Sequence, residues 1–102
     1  MKPLTRAIKH NTHPGEILLN QIVKPNNLTV DKTAKYLGIT RPTLSNIVNG
    51  KSAITPIMAI RISKVFGGNP AFWVRLQTSY DLREAEKVFE EKHINLDRFE
   101  FV

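Results

Sequence analysis

The chain of 102 residues has room for one hydrophobic core and not for two, and its hydrophobic content of 41% excludes a disordered tail. Its formal net charge of +6 favours an anionic partner such as a nucleic acid. Without cysteine it can form neither a disulfide framework nor a thiolate site, which fits a reducing cytoplasm.

The N-terminal sequence lacks the apolar run of a signal peptide. No segment approaches the ~18 consecutive apolar residues that a membrane span requires. We therefore expect a soluble, cytoplasmic protein with no membrane partner.

The positive charge is concentrated in one half of the chain. Residues 1–51 hold eight Lys or Arg against two Asp or Glu, whereas residues 52–102 hold seven of each sign. Divided at residue 80 instead, the chain carries +9 before the boundary and −3 after it. This pattern predicts a basic N-terminal arm (residues 1–12), a DNA-binding domain (13–80) and an acidic C-terminal tail (81–102).

The first predicted helix begins at Pro14, whose fixed φ suits the first turn of a helix. Glu16 then lies at the positive end of the helix dipole. Ile17, Leu18 and Ile22 form the apolar stripe of this helix. Pro25 and the two asparagines after it end the helix.

The next segment reads as a helix-turn-helix. Thr29 is the expected N-cap of a helix from Val30 to Leu37, and Gly38 ends that helix in a left-handed conformation. Thr40 caps a second helix, which follows after a joint of only three residues and runs from Arg41 to Val48. A helix-turn-helix places its second helix in the major groove of DNA, so this half of the chain combines groove-entering geometry with cationic affinity for phosphate.

Two further helices follow. Thr55-Pro56 opens one and Gly67-Gly68 closes it, while Asn69-Pro70 opens the other. The apolar residues of the latter are Phe72, Trp73, Leu76 and Tyr80, and they form either core or a dimer seam. With no strand-type alternation before residue 93, the prediction is an all-α bundle of five helices with a helical or extended C-terminal tail.

The acidic tail allows a sixth helix through Leu82, Ala85, Val88 and Phe89. Its net negative charge and its phenylalanines make it a candidate surface for a protein partner. Packing of the tail over the bundle or over a dimer is the alternative.

Four side chains are expected on the outward face of the second motif helix: Thr40, Arg41, Thr43 and Asn46. Arg41 can contact guanine through two hydrogen bonds, Asn46 can pair with adenine, and Thr43 can touch a thymine methyl group or a phosphate. Thr29, Asn49 and Lys51 are better placed for the DNA backbone. Several have a plainer interpretation: Thr29 and Thr40 as caps, Asn49 as part of a turn, and Arg41 as a solvated cation.

His10, His13 and Glu16 have a spacing that superficially resembles a metal site. Pro14 starts the helix after both histidines, and only His93 occurs elsewhere, so a closed zinc set cannot be completed locally. No phosphate-binding loop, activated serine or paired-carboxylate pocket is apparent. We therefore expect no metal, no cofactor and no catalytic residue.

Five segments occur in a distinctive order: HPGEIL from His13, LGITRPTLS from Leu37, NGK from Asn49, ITP from Ile54, and FW-x2-LQ-x2-YDL from Phe72. Together they resemble the HigA family of antitoxins, compact relatives of the phage-repressor (Xre) proteins. The helix-turn-helix segments alone identify only the larger superfamily, and the first and last segments narrow the resemblance to HigA.

The resemblance implies a λ-repressor-like fold and a homodimer that binds a palindromic operator in its own promoter. It also implies a partner toxin of the HigB type, a small mRNA endonuclease that the antitoxin neutralises. By the same resemblance, Thr40, Arg41, Thr43 and Asn46 read bases, and Thr29, Asn49 and Lys51 anchor the DNA backbone. Val30 departs from the pattern, since many repressors have glutamine there.

A stand-alone repressor without a toxin is the alternative function. A helix-turn-helix used only for protein contacts and a metal-dependent hydrolase are more distant alternatives.

Overall fold

The computed structural model describes residues 11–102, which form five α-helices and no β-strand. The helices are α1 (Pro14–Leu18), α2 (Val30–Leu37), α3 (Arg41–Val48), α4 (Pro56–Phe66) and α5 (Pro70–Glu91). The predicted five-helix, all-α architecture is thus confirmed. Most of the predicted basic arm lies outside the described residues.

Each helix begins beside a side chain that accepts a hydrogen bond from a backbone N–H of its first turn. These caps are His13, Thr29, Thr40, Thr55 and Asn69. Such caps satisfy N–H groups that have no partner within the helix. The cap by His13 was not predicted, because histidine is not a typical N-cap residue.

The first helix changes its pitch after Leu18 and continues as a π-helical turn, Leu19–Val23. The Lys24 N–H donates to the Leu19 carbonyl at 2.9 Å. Pro25 has no N–H with which to continue an α-helical ladder, and the wide turn ends there. The sequence predicted the extent of this segment but not its change of pitch.

The core lies where all five helices meet. Leu18, Leu44, Ile54 and Ile62 are fully buried at its centre. Trp73 of α5 is 4% exposed and closes one side. Each helix thus buries one apolar stripe and leaves its opposite face in water.

The last helix is twice as long as predicted, because the fifth and the possible sixth helix are one continuous element of 22 residues. The expected domain boundary after residue 80 therefore falls inside α5. Beyond Glu84 every residue is exposed. The Cα radius of gyration is 17.0 Å, above the ~13 Å of a compact chain of this length, since the distal half of α5 and the segment after it extend away from the bundle.

Within residues 11–102, no helix has both the length and the apolar character needed to cross a bilayer.

Candidate nucleic-acid interface

The turn between α2 and α3 has the geometry expected of a helix-turn-helix. Gly38 has a φ of 70°, in the left-handed region, where a side chain is disfavoured. The Gly38 and Ile39 N–H groups donate back to the Lys35 and Ala34 carbonyls at 3.1 and 3.0 Å, respectively. These bonds fix the direction in which the chain leaves α2.

Helix α3 has two chemically distinct faces. Leu44, Ile47 and Val48 are buried in the core. The four predicted base-reading side chains, Thr40, Arg41, Thr43 and Asn46, are all exposed. The polar face is therefore free to meet a partner while the apolar face holds the helix in place.

The two threonines at the start of α3 are linked to each other. The Thr40 hydroxyl accepts a hydrogen bond from the Thr43 N–H at 3.3 Å. It also lies 2.7 Å from the Thr43 hydroxyl. Thr40 thus acts as the predicted cap, and much of its hydrogen-bonding capacity is used within the protein.

The three predicted backbone contacts, Thr29, Asn49 and Lys51, are exposed as well. Thr29 caps α2 by accepting from the Lys32 N–H at 3.1 Å. The Asn49 amide donates to the Ser45 hydroxyl at 3.2 Å. Lys51 follows directly after the positive-φ Gly50, at the C-terminal end of α3.

The HPGEIL segment at the start of α1 packs against the end of α3. A Cβ atom at Gly15 would overlap the Ile47 carbonyl oxygen, so only glycine allows α1 to approach α3 this closely. The His13 Nδ1 accepts from the Gly15 N–H at 2.9 Å. Its ring lies edge-on to Tyr80 of α5, with 4.8 Å between centroids.

His13 is a structural residue in this arrangement. Burial lowers its pKa below the ordinary value, and the carboxylates of Asp81 and Glu16 offset part of that effect. The unprotonated Nδ1 is the form that can accept the Gly15 N–H. Residues 11–102 contain no group of three or more His, Cys, Asp or Glu able to hold a metal ion, and His10 lies outside the described residues.

The four residues predicted as core or dimer seam differ in burial. Trp73 is in the core, and Leu76 packs partly buried against it. Tyr80 is half-buried beside His13. Phe72, by contrast, is 47% exposed, with its ring edge-on to Trp73.

Two polar residues for which no role was predicted hold the motif to the bundle. Gln77 is buried, accepts from the Ile54 N–H at 2.8 Å and donates to Asp81 at 2.9 Å. Arg61 of α4 donates to the Leu37 and Gly38 carbonyls. Gln77 belongs to the FW-x2-LQ-x2-YDL segment, which was the only signal for it, whereas no local pattern indicates the Arg61 contact.

A sequence profile described as helix-turn-helix matches residues 19–73, more than half of the chain. An HTH-type transcriptional regulator of Haemophilus influenzae is 44% identical over 75 residues, 74% of this chain and 70% of the relative. The solved structure of the antitoxin GraA has a TM-score of 0.82 at 34% identity and covers 88% of this chain and 98% of its own.

A third relative is the Pseudomonas aeruginosa antitoxin HigA, whose structure was solved with the higBA promoter. It has a TM-score of 0.78 at 30% identity and covers 81% of this chain and 90% of its own. These relatives are regulators and antitoxins, not enzymes. The chain therefore belongs to the helix-turn-helix family and, within it, to the HigA-type antitoxins.

Proposed function

We propose that this protein is an antitoxin that represses its own operon. As a homodimer it binds a palindromic operator, and it neutralises a HigB-like mRNA endonuclease. The observation that carries the DNA-binding part is the division of α3 into a buried apolar face and a fully exposed polar face. The related P. aeruginosa HigA, solved with promoter DNA, supports the same partner.

Base readout falls mainly to Arg41 and Asn46. A guanidinium can donate two hydrogen bonds to O6 and N7 of guanine, and a carboxamide can pair with N6 and N7 of adenine. Thr43 adds a hydroxyl and a methyl group on the same face. Thr40 contributes chiefly its methyl group, because its hydroxyl is occupied by the cap.

The DNA backbone is held by groups on both sides of α3. The Thr29 side chain is used as a cap, so this position offers phosphate the backbone N–H groups at the start of α2. The Asn49 amide retains one N–H beyond its bond to Ser45. Lys51 supplies a mobile positive charge, and phosphate contacts of this kind set position rather than sequence.

The dimer seam is proposed on the exposed side of α5. Phe72 lies near its start, and Leu82 and Phe89 lie on its distal half, all exposed. Beyond Glu84 the helix is exposed on every side, so its apolar side chains there are available to a partner. A second copy supplies the same surface through a two-fold axis and sets two α3 helices ~34 Å apart, one turn of DNA.

The toxin contact is proposed on the acids of distal α5. Glu86, Glu90 and Glu91 are exposed and lie within a segment of net negative charge. An RNA-cleaving toxin tends to be basic, so opposite charges would accelerate encounter and orient docking. Charge reversal at these glutamates should slow capture of a small basic protein encoded by the adjacent reading frame, whereas Asp31→Lys should not. Equal association rates for both variants would contradict the proposal.

The DNA-binding function is tested with the duplex upstream of the gene and a random duplex of equal length. The protein should bind the upstream duplex more tightly than the random duplex by a factor of ~10³ or more. The logarithm of its affinity should fall linearly with the logarithm of the salt concentration. Equal affinity for both duplexes would overturn specific repression. The second candidate, a stand-alone repressor, is favoured by the H. influenzae relative, and it would be supported by operator binding without capture of any product of a neighbouring gene.

A further inference from the structure

Arg61, in the middle of α4, reaches into the turn of the helix-turn-helix from outside the motif. Its Nη1 donates to the Leu37 carbonyl at 2.9 Å and to the Gly38 carbonyl at 3.3 Å. The last carbonyls of a helix receive no hydrogen bond from an N–H group within that helix. A guanidinium there supplies both the missing donor and a cation at the negative end of the α2 dipole.

The Arg61 guanidinium lies close against Gly38. A Cβ atom added at Gly38 would lie 2.9 Å from the Arg61 Nη1. Glycine is favoured at this position by its φ of 70°, and a side chain there would also displace the guanidinium from the turn. The turn and the side chain that holds it form one unit.

The turn that Arg61 holds sets the start of α3, the helix proposed to read bases. Thr40, the cap of α3, is two residues beyond Gly38, and Arg41 follows immediately. A shift of the turn therefore moves the side chains that meet base edges. Lys51 and the other backbone contacts after α3 are farther from the turn along the chain.

We propose that Arg61 is a positioning residue for DNA readout: it fixes the turn between α2 and α3 so that Arg41 meets its base in register. This inference rests on the proposed function. It assigns to α4 a role in operator recognition that does not involve contact with DNA.

The test compares Arg61→Met and Arg61→Lys with Lys64→Met. Lys64 is an exposed cation on the same helix, so its replacement removes the same charge without touching the turn. For each purified full-length variant, affinity is measured for the operator and for a random duplex over a range of salt concentrations. Thermal unfolding is measured alongside.

Arg61→Met should lower operator affinity about tenfold, the equivalent of one charge-assisted hydrogen bond. Its affinity for random DNA and the salt slope should match those of Lys64→Met. Arg61→Lys should recover part of the loss, because an ammonium is a point donor without the planar fork of a guanidinium. Amide exchange at residues 38–43 should accelerate in Arg61→Met and remain normal in Lys64→Met.

Two results would overturn this role while leaving the proposed function intact. An equal loss on both duplexes, with a smaller salt slope, would make Arg61 a direct phosphate contact. Unchanged operator affinity with a lowered unfolding temperature would make it a stabilising residue only. Failure of the unaltered protein to bind the operator would instead overturn the proposed function, and this role with it.

Discussion

At the scale of single residues, Arg41 and Lys51 lie at opposite ends of α3 and are expected to act differently. Lys51→Ala should weaken binding to operator and random DNA alike and lower the salt slope by ~1, because it removes one phosphate contact. Binding across a salt series measures this slope. Lys92→Ala, an exposed lysine beyond the end of α5, is the matched control. A loss confined to the operator would contradict a backbone role for Lys51.

His13 should make the fold sensitive to mild acid. Because its folded pKa is lowered, the unfolded chain takes up the proton first as the pH falls. The stabilisation from the neutral imidazole is therefore complete above the unfolded pKa of ~6.5. It is lost as the pH falls through the folded value.

His13→Asn keeps an N-capping oxygen but cannot titrate. Its free energy of unfolding should vary less between about pH 7.5 and 5.5, on either side of the ordinary histidine pKa, than that of the unaltered protein. Chemical denaturation at several pH values measures this difference. The control is His93→Asn, at an exposed positive-φ position that asparagine tolerates. A wild-type pH slope in His13→Asn would refute the expectation.

At the scale of helices, Gln77 joins α5 to the segment between α3 and α4. Gln77→Leu leaves the buried Ile54 N–H without a partner and should cost ~1–3 kcal/mol of the free energy of unfolding. Thr78→Ala, at the next and exposed position of α5, should be nearly neutral. Urea unfolding midpoints measure both. Equal free energies of unfolding for Gln77→Leu and Thr78→Ala would contradict this expectation and show that water bonds the Ile54 N–H in place of the glutamine.

Sequence reasoning was most successful where structure is determined locally. The bounds of α2 and α3 follow from Thr29, Gly38 and Thr40, whose side chains or backbone freedom start and stop helices directly. The outward position of the polar face of α3 follows from helical periodicity alone.

Contacts between helices that are far apart along the chain could not be predicted from the sequence. The bonds of Arg61 to the turn and of Gln77 to Ile54 depend on how α4 and α5 pack, which no local pattern encodes. A helix end was expected near Tyr80 because the net charge of the chain changes there. A change of charge does not end a helix. Lacking proline or glycine, residues 71–91 continue as one helix.

At the scale of the whole molecule, charge and apolar surface are separated. The basic half, residues 1–51, carries α3, and the exposed apolar residues Leu82, Val88 and Phe89 of α5 lie in the net-negative segment 81–102. One molecule can therefore meet DNA on one side and protein on another. This arrangement suits a regulator whose repression and neutralisation use different surfaces.

The proposed dimer is tested by placing a charge in its seam. Leu82→Asp should shift the protein from dimer to monomer in sedimentation at micromolar concentration, because a buried unpaired carboxylate opposes association. Asn95→Asp adds the same charge at an exposed polar position beyond the end of α5 and should remain dimeric. Operator affinity should fall for Leu82→Asp only, since two linked half-sites bind more tightly than one. A dimeric Leu82→Asp would place the seam elsewhere.

The central claim is that Arg41 and Asn46 read bases, and its most direct test is a loss-of-contact scan. Affinities of the unaltered protein, Arg41→Ala and Asn46→Ala are measured on operators that each carry one symmetrically altered base pair. Each variant should lose discrimination, worth ~1–3 kcal/mol per contact, at its own position in each half-site and retain it at the others. Variants that keep the wild-type preference at every position, or that lose affinity equally on operator and random DNA, would contradict the account.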